Sequence, residues 1–180
     1  MKKIKFNYQE LKVGDMVLCG SYAPIAVMIR SVTAGISHMF DYTVPNHVGI
    51  IIEASGQKLV AEMLGKGLCI DSLEDYNKGG IHPFIINIKR HPAYNLAKDR
   101  KRLNDAVFND FRHSLDYDFK GLLEFVFKKV KNARGRYYCS EYFVHQTKID
   151  NIIYPDKFDI KVSPLDLNLC ADWNNVKYKL

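Results

Sequence analysis

The spacing of apolar residues changes once along this chain, from strand-like runs in the first half to a helical period in the second. His47-Val48-Gly49-Ile50-Ile51-Ile52-Glu53 is a nearly continuous β-branched run, the pattern of a strand buried on both faces. Ser55 to Lys58 reads as a hairpin turn, and Leu59 to Met63 returns as the partner strand. Ahead of this pair, Gly14-Asp15 signals a turn leading into a short strand that ends at Gly20. Pro24 opens a helix through about Val32, since proline suits a first helical turn. Ser31 to Asn46 reads as irregular, and further short strands are expected at Leu68–Asp71 and Phe84–Ile88. From Tyr94 to His113 the period becomes helical, with Leu96, Leu103, Val107 and Phe111 recurring at sevens and fours. A second helix is predicted over Phe119–Lys131, followed by a basic loop at Asn132–Arg136. A third begins near Cys139 with Tyr142, Phe143, Val144 and Ile149 as its apolar face, and the tail from Ile152 reads mostly as loop with a final strand. The pattern predicts one α+β domain over residues 1–180, an antiparallel sheet packed against helices.

Composition narrows the class. With 180 residues, 47% hydrophobic and 26% charged, the chain matches a soluble globular domain large enough to bury a core. The longest early apolar run, Ala23–Ile29, is far short of the ~20 residues that span a bilayer. The net charge of +6 is concentrated: between Lys98 and Arg136 there are eleven Lys or Arg against six Asp or Glu. The basic stretch Lys128–Arg136 is a candidate contact for an anionic surface, but no nucleic-acid motif accompanies it, so no nucleic-acid partner is expected. Four widely spaced cysteines without a C-x-x-C pair fit a reducing compartment and give no metal framework. Met1 to Asn7 starts basic with no apolar run behind it. The expectation is therefore a cytoplasmic chain as given, with export of a longer precursor left open.

The candidate chemistry centres on Cys139. Ser140 and Glu141 suit a first helical turn, which puts the thiol at a helix N-terminus, where unpaired N–H groups stabilise a thiolate. A nucleophile of this kind needs a base and a group that orients the base. Of six histidines, His47 stands out because it opens the buried strand, while His145 shares the helix of Cys139 and faces elsewhere. His38 lies in the irregular segment and is the weaker alternative. Glu62 is the candidate orienting acceptor: the hairpin brings it beside the histidine strand, among the apolar Val60, Ala61 and Met63. Against each stands a plain structural role, as a buried small side chain, a strand-ending imidazole and an edge carboxylate. Cys19, Cys69 and Cys170 are read as structural.

Together, His47-Val48-Gly49-Ile50, Leu59-Val60-Ala61-Glu62 and Tyr138-Cys139-Ser140-Glu141 resemble the NlpC-type papain-like cysteine hydrolases. With the histidine ahead of the cysteine, the chain more closely resembles their circularly permuted, YiiX-like branch, with lecithin retinol acyltransferase as a distant relative. Gly14 to Leu18, Tyr117-Asp118-Phe119 and Ser163 to Leu167 resemble flanking segments of that branch. The resemblance implies a permuted papain-like fold with the nucleophile at a helix N-terminus, Cys139 attacking, His47 as base and Glu62 orienting it. It implies Tyr117, by analogy with an upstream tyrosine of the family, as a second oxyanion donor beside the Cys139 N–H, and Tyr138 as a further oxyanion or substrate-binding candidate. No cofactor and no metal are expected. The expected substrate is a small peptide or acyl amide, including a cell-wall-derived peptide. The alternatives are a thiol acyltransferase or esterase acting on lipid acyl groups, or a non-catalytic binding domain.

Overall fold

A computed structural model describes residues 10–38, 40–41, 43–77, 84–118, 136–148 and 162–176. Among them a sheet of six antiparallel-paired strands runs in the order β4-β3-β2-β1-β5-β8. The strands are β1 (Met16–Gly20), β2 (His47–Ala54), β3 (Gln57–Leu64), β4 (Gly67–Ser72), β5 (Phe84–Arg90) and β8 (Asn174–Asn175). A separate parallel pair joins β6 (Asp116–Tyr117) to β7 (Arg136–Tyr137). The helices are α1 (Pro24–Ala34), α2 (Ala97–Arg112), α3 (Cys139–Lys148) and α4 (Pro164–Leu169).

The β-branched run of β2 does what its composition predicts. Val48, Ile50 and Ile52 enter one core with Tyr142 and Phe143 of α3, while Ile51 enters another with Val17, Val60 and Tyr76. Alternate residues of one strand thus fill cores on opposite faces of the sheet. The β2–β3 turn is the two-residue Ser55-Gly56, both at positive φ, the geometry that matches the twist of a tight hairpin. β1 is anchored at its start: Asp15 is fully buried, and Arg90 donates Nε–H to its Oδ1 at 2.7 Å and Nη2–H to its Oδ2 at 2.6 Å.

Several boundaries differ from expectation. The helix expected from Tyr94 begins at Ala97, because Pro92–Asn95 forms a 3-10 turn and Leu96 is extended. Leu103 and Val107 are buried as the period implies, but Leu96 and Phe111 are exposed at the helix ends. The segment expected to be irregular after Ser31 continues α1 to Ala34 and adds a 3-10 turn at Ile36–His38. The tail carries α4, capped reciprocally by Ser163 and Asp166 with Pro164 in the first turn. The helix expected at Phe119–Lys131 and the anionic-surface contact at Lys128–Arg136 lie outside the described residues, apart from the backbone of Arg136. Among the described residues, no helix is long and apolar enough to cross a membrane.

Candidate active site

Cys139 is the first residue of α3. The Tyr142 N–H donates to the Tyr138 carbonyl at 2.9 Å, so helical hydrogen bonding starts immediately before the cysteine. The N–H groups of that first turn have no intrahelical acceptor, which leaves the Cys139 N–H pointing out of the helix end. Ser140 fixes this end in place, its hydroxyl donating to the Val162 carbonyl at 2.5 Å just ahead of α4.

His47 is the first residue of β2 and sits opposite Cys19 of β1. Asn46 locks this point. Its N–H donates to the Cys19 carbonyl at 3.0 Å, its side-chain oxygen accepts from the Ser21 N–H at 2.9 Å, and its side-chain amide donates to the Ser21 carbonyl at 3.0 Å. Asn46 was not singled out from the sequence. A turn asparagine directly before a strand histidine was the available signal.

Glu62 lies across from Gly49 in the β2–β3 register. Gly49 and His47 are on the same side of β2, so the imidazole leans diagonally over a residue without a side chain towards the carboxylate. A Cβ on Gly49 would meet Val60 Cγ1 at 2.5 Å, the Ala61 carbonyl oxygen at 3.2 Å and Glu62 Cβ at 3.5 Å. The glycine of the His-Val-Gly run is therefore what permits the close approach of β3. His47 Nε2 and Glu62 Oε2 form a short hydrogen bond.

Cys139 lies near enough to the same imidazole to act on its charge. Cys139 belongs to the core on one face of the sheet and His47, by alternation, points to the other. Because His47 opens its strand, its ring sits at the sheet end, where it meets Glu62. The site is nearly closed to solvent, with Cys139 4% and Glu62 3% exposed.

Electrostatics follow from this enclosure. Burial alone would lower the His47 pKa, but the Glu62 charge and the thiol outweigh it and raise it to about 10. Burial would raise Glu62, yet His47 holds its carboxyl below the ordinary value. The site thus favours an imidazolium between two acids. On the other side of Cys139, burial and the nearby Asp118 charge raise Glu141 to about 7, against the opposing bond from the Tyr138 N–H to Glu141 Oε2 at 3.4 Å.

The remaining candidates are placed as follows. Tyr138 is buried beside Cys139, Glu141, Asp118 and Asp166, and burial with those charges keeps its hydroxyl protonated. The Tyr117 backbone pairs with Tyr137, two residues ahead of Cys139, but its side chain lies outside the described residues. His145 stacks on Tyr137 with ring centroids 4.7 Å apart, away from Glu62. His38 is exposed and pairs with Asp41. Tyr76 and Asp71, both of which interact with Glu62, were missed, because only the fold of β4 and the turn after it brings them there. Among the described residues no group of three or more His, Cys, Asp or Glu is placed to hold a metal ion.

No protein-family model matches the chain, and no curated protein matches it. Among solved structures, a crystal structure described as metalloprotein yiiX from Escherichia coli O157:H7 (DUF1105) is similar, with a TM-score of 0.67 over 93% of this chain and 97% of that one. Sequence identity is 14%, so what the two share is the fold, a YiiX-like α+β architecture.

Proposed function

We propose that this chain is a cysteine hydrolase of the permuted, NlpC-type papain-like kind, a single catalytic domain that cleaves an amide bond through Cys139, His47 and Glu62. The observation that carries the reading is one imidazole hydrogen-bonded to a buried carboxylate and near enough to a thiol at a helix N-terminus for that thiol to act on its charge. The chain order, with histidine and glutamate ahead of the cysteine, is what a circular permutation of such an enzyme would produce.

In this reading Cys139 and His47 rest as a thiolate–imidazolium pair, and the thiolate attacks the substrate carbonyl carbon. The carbonyl π electrons move onto oxygen, which the Cys139 N–H and the α3 terminus stabilise. The intermediate collapses to a thioester as the C–N bond breaks and the imidazolium protonates the leaving amine. His47 then takes a proton from water, hydroxide displaces the thiolate, and the acid leaves. Glu62 holds the ring throughout and stabilises its charge. The yiiX neighbour is described as a metalloprotein. Here His47 Nε2 is held by Glu62, and among the described residues no group of three or more His, Cys, Asp or Glu is placed to hold a metal ion, so no step runs through a metal.

A second reading, a thiol acyltransferase or esterase on lipid acyl groups, is favoured by one observation. α1 and the turn after it expose Ile25, Val32, Ile36 at 80% and Phe40 at 65%, on the segment that links β1 to His47. Incubation with a peptide thioester probe and a lipid thioester probe, followed by mass spectrometry of the intact protein, separates the two. Acylation of Cys139 by the peptide probe, lost in Cys139→Ala, is expected. Acylation by the lipid probe alone would transfer the assignment to the second reading. No adduct with either would leave a binding domain.

A further inference from the structure

We propose that Asn46 is a positioning residue for His47: by pairing its carboxamide with the backbone of Ser21, it fixes the histidine where Glu62 reaches it, independently of the segment that joins β1 to β2. The inference rests on the Cys–His–Glu reading above. The antiparallel register of β1 and β2 ends with Cys19 opposite His47. Two steps further along the same register Ser21 falls opposite Pro45, which has no N–H to donate. The main chain therefore cannot carry the ladder on, and Asn46 continues it with its side chain. Its Oδ1 accepts from the Ser21 N–H at 2.9 Å and its Nδ2–H donates to the Ser21 carbonyl at 3.0 Å, while its own N–H donates to the Cys19 carbonyl at 3.0 Å. A donor and an acceptor offered to one residue are what the opposite residue of an antiparallel strand supplies. An aspartate in the same place would lack the donor, and an aliphatic side chain would offer neither group. Asn46 is 1% exposed, so the bonds are shielded from water.

The clamp matters because of what lies between its ends. The chain from Ser21 to Asn46 holds α1 and the 3-10 turn Ile36–His38, with Ile25, Val32, Ile36 and Phe40 exposed. From within α1 the buried Arg30 donates Nε–H to the Val44 carbonyl at 3.0 Å. A shift of α1 thus pulls directly on the chain two residues ahead of Asn46. The carboxamide ties the next point to β1, which is flanked in the sheet by β2 and β5, so the displacement stops there. The place it protects is exacting. The imidazole reaches diagonally across Gly49 to the neighbouring strand, where Nε2 meets Glu62 Oε2. The titratable groups around the ring are Glu62 of β3, Cys139 of α3 and, across the ladder, Cys19 of β1. Loosening the strand end lengthens the Glu62 contact and leaves a buried ring without the charge that favours its protonated form.

The test is the titration of the His47 ring by NMR in the full chain, wild type against Asn46→Ala. The wild-type midpoint is raised to about 10. In Asn46→Ala it is expected to fall by at least about one pH unit, a tenfold weaker hold on the ring proton. Ala26→Gly is the control, since it weakens α1 without touching the clamp. It is expected to lower the melting temperature and leave the midpoint in place. An unmoved midpoint in folded Asn46→Ala overturns the proposal, whatever the melting temperature does. So does an equal fall in Ala26→Gly, which would mean that any loosening of this region reaches His47. Should Asn46→Ala not fold, Asn46→Ser, which keeps a hydroxyl at the turn but not the paired donor and acceptor, is read by the same two outcomes. Wild-type Cys139 no more reactive than a free thiol would instead strike the Cys–His–Glu reading, while the midpoints still decide the clamp.

Discussion

Around Cys139 two acids have been pushed in opposite directions by their surroundings. Glu62 is as buried as a core residue and stays ionised because an imidazolium sits on it. Glu141, in the same first helical turn as the thiol, is raised to about 7 by burial and by Asp118. The folded protein therefore holds a proton on Glu141 that the unfolded chain loses near the ordinary value of 4.5. Folded and unfolded states differ in bound protons between about 4.5 and 7, so this carboxyl lowers stability as pH rises through that window. Glu141→Gln should flatten the fall in melting temperature between about pH 5 and about pH 8, read by calorimetry. An unchanged pH slope would mean that the Glu141 environment has been misjudged. Glu141 was legible as a helix-start acid; its proton was not, since that depends first on its burial in the fold and then on Asp118, a residue brought near by the β6–β7 pair.

At the scale of elements, the hairpin β2–β3 carries most of the site. Its strand pattern and the return of Glu62 beside the histidine strand were readable, but the turn is the two residues Ser55-Gly56 rather than Ser55 to Lys58, since β3 already begins at Gln57. Elements specified by tertiary contact were harder. Leu73–Asn77 is too short for a periodic signal, and it brings Tyr76 into the core with Ile51 and Val60. α4 had a readable start in Ser163-Pro164 with Asp166, yet it was passed over because so short a helix is held by its cap and by Ser140 rather than by an apolar stripe. Leu96 misled the placement of α2, since its apolar side chain fits the period while its backbone is extended. Gly49 supplies the prediction at this scale. Gly49→Ala puts a methyl into Val60 and the Ala61 carbonyl, forcing β3 away from β2. The expected cost is about 1–3 kcal/mol in chemical denaturation, together with loss of Cys139 reactivity as Glu62 withdraws from His47. Full reactivity with full stability would show that the close strand approach does not matter.

The whole molecule places three chain-distant groups at one end of a sheet. β1 and β2 lie at its centre, flanked by neighbours on both sides. The Asp15–Arg90 pair fixes β1 from the far end, and the Asn46 clamp fixes the near end where His47 begins. α3 rests on one face and directs its N-terminus past the strand end, while Glu62 and Tyr76 approach from the other. Under the proposed function the imidazole joins Glu62 to Cys139. The most direct measurement of that link is the second-order rate of Cys139 alkylation by iodoacetamide near neutral pH, in the wild-type chain and in His47→Ala, with adduct sites located by mass spectrometry. The account predicts that wild-type Cys139 reacts at least about tenfold faster than a free thiol of ordinary pKa, and that His47→Ala abolishes the advantage while Cys19 and Cys69 stay unmodified. Cys139 reacting no faster than a free thiol, or equally fast without His47, would contradict it.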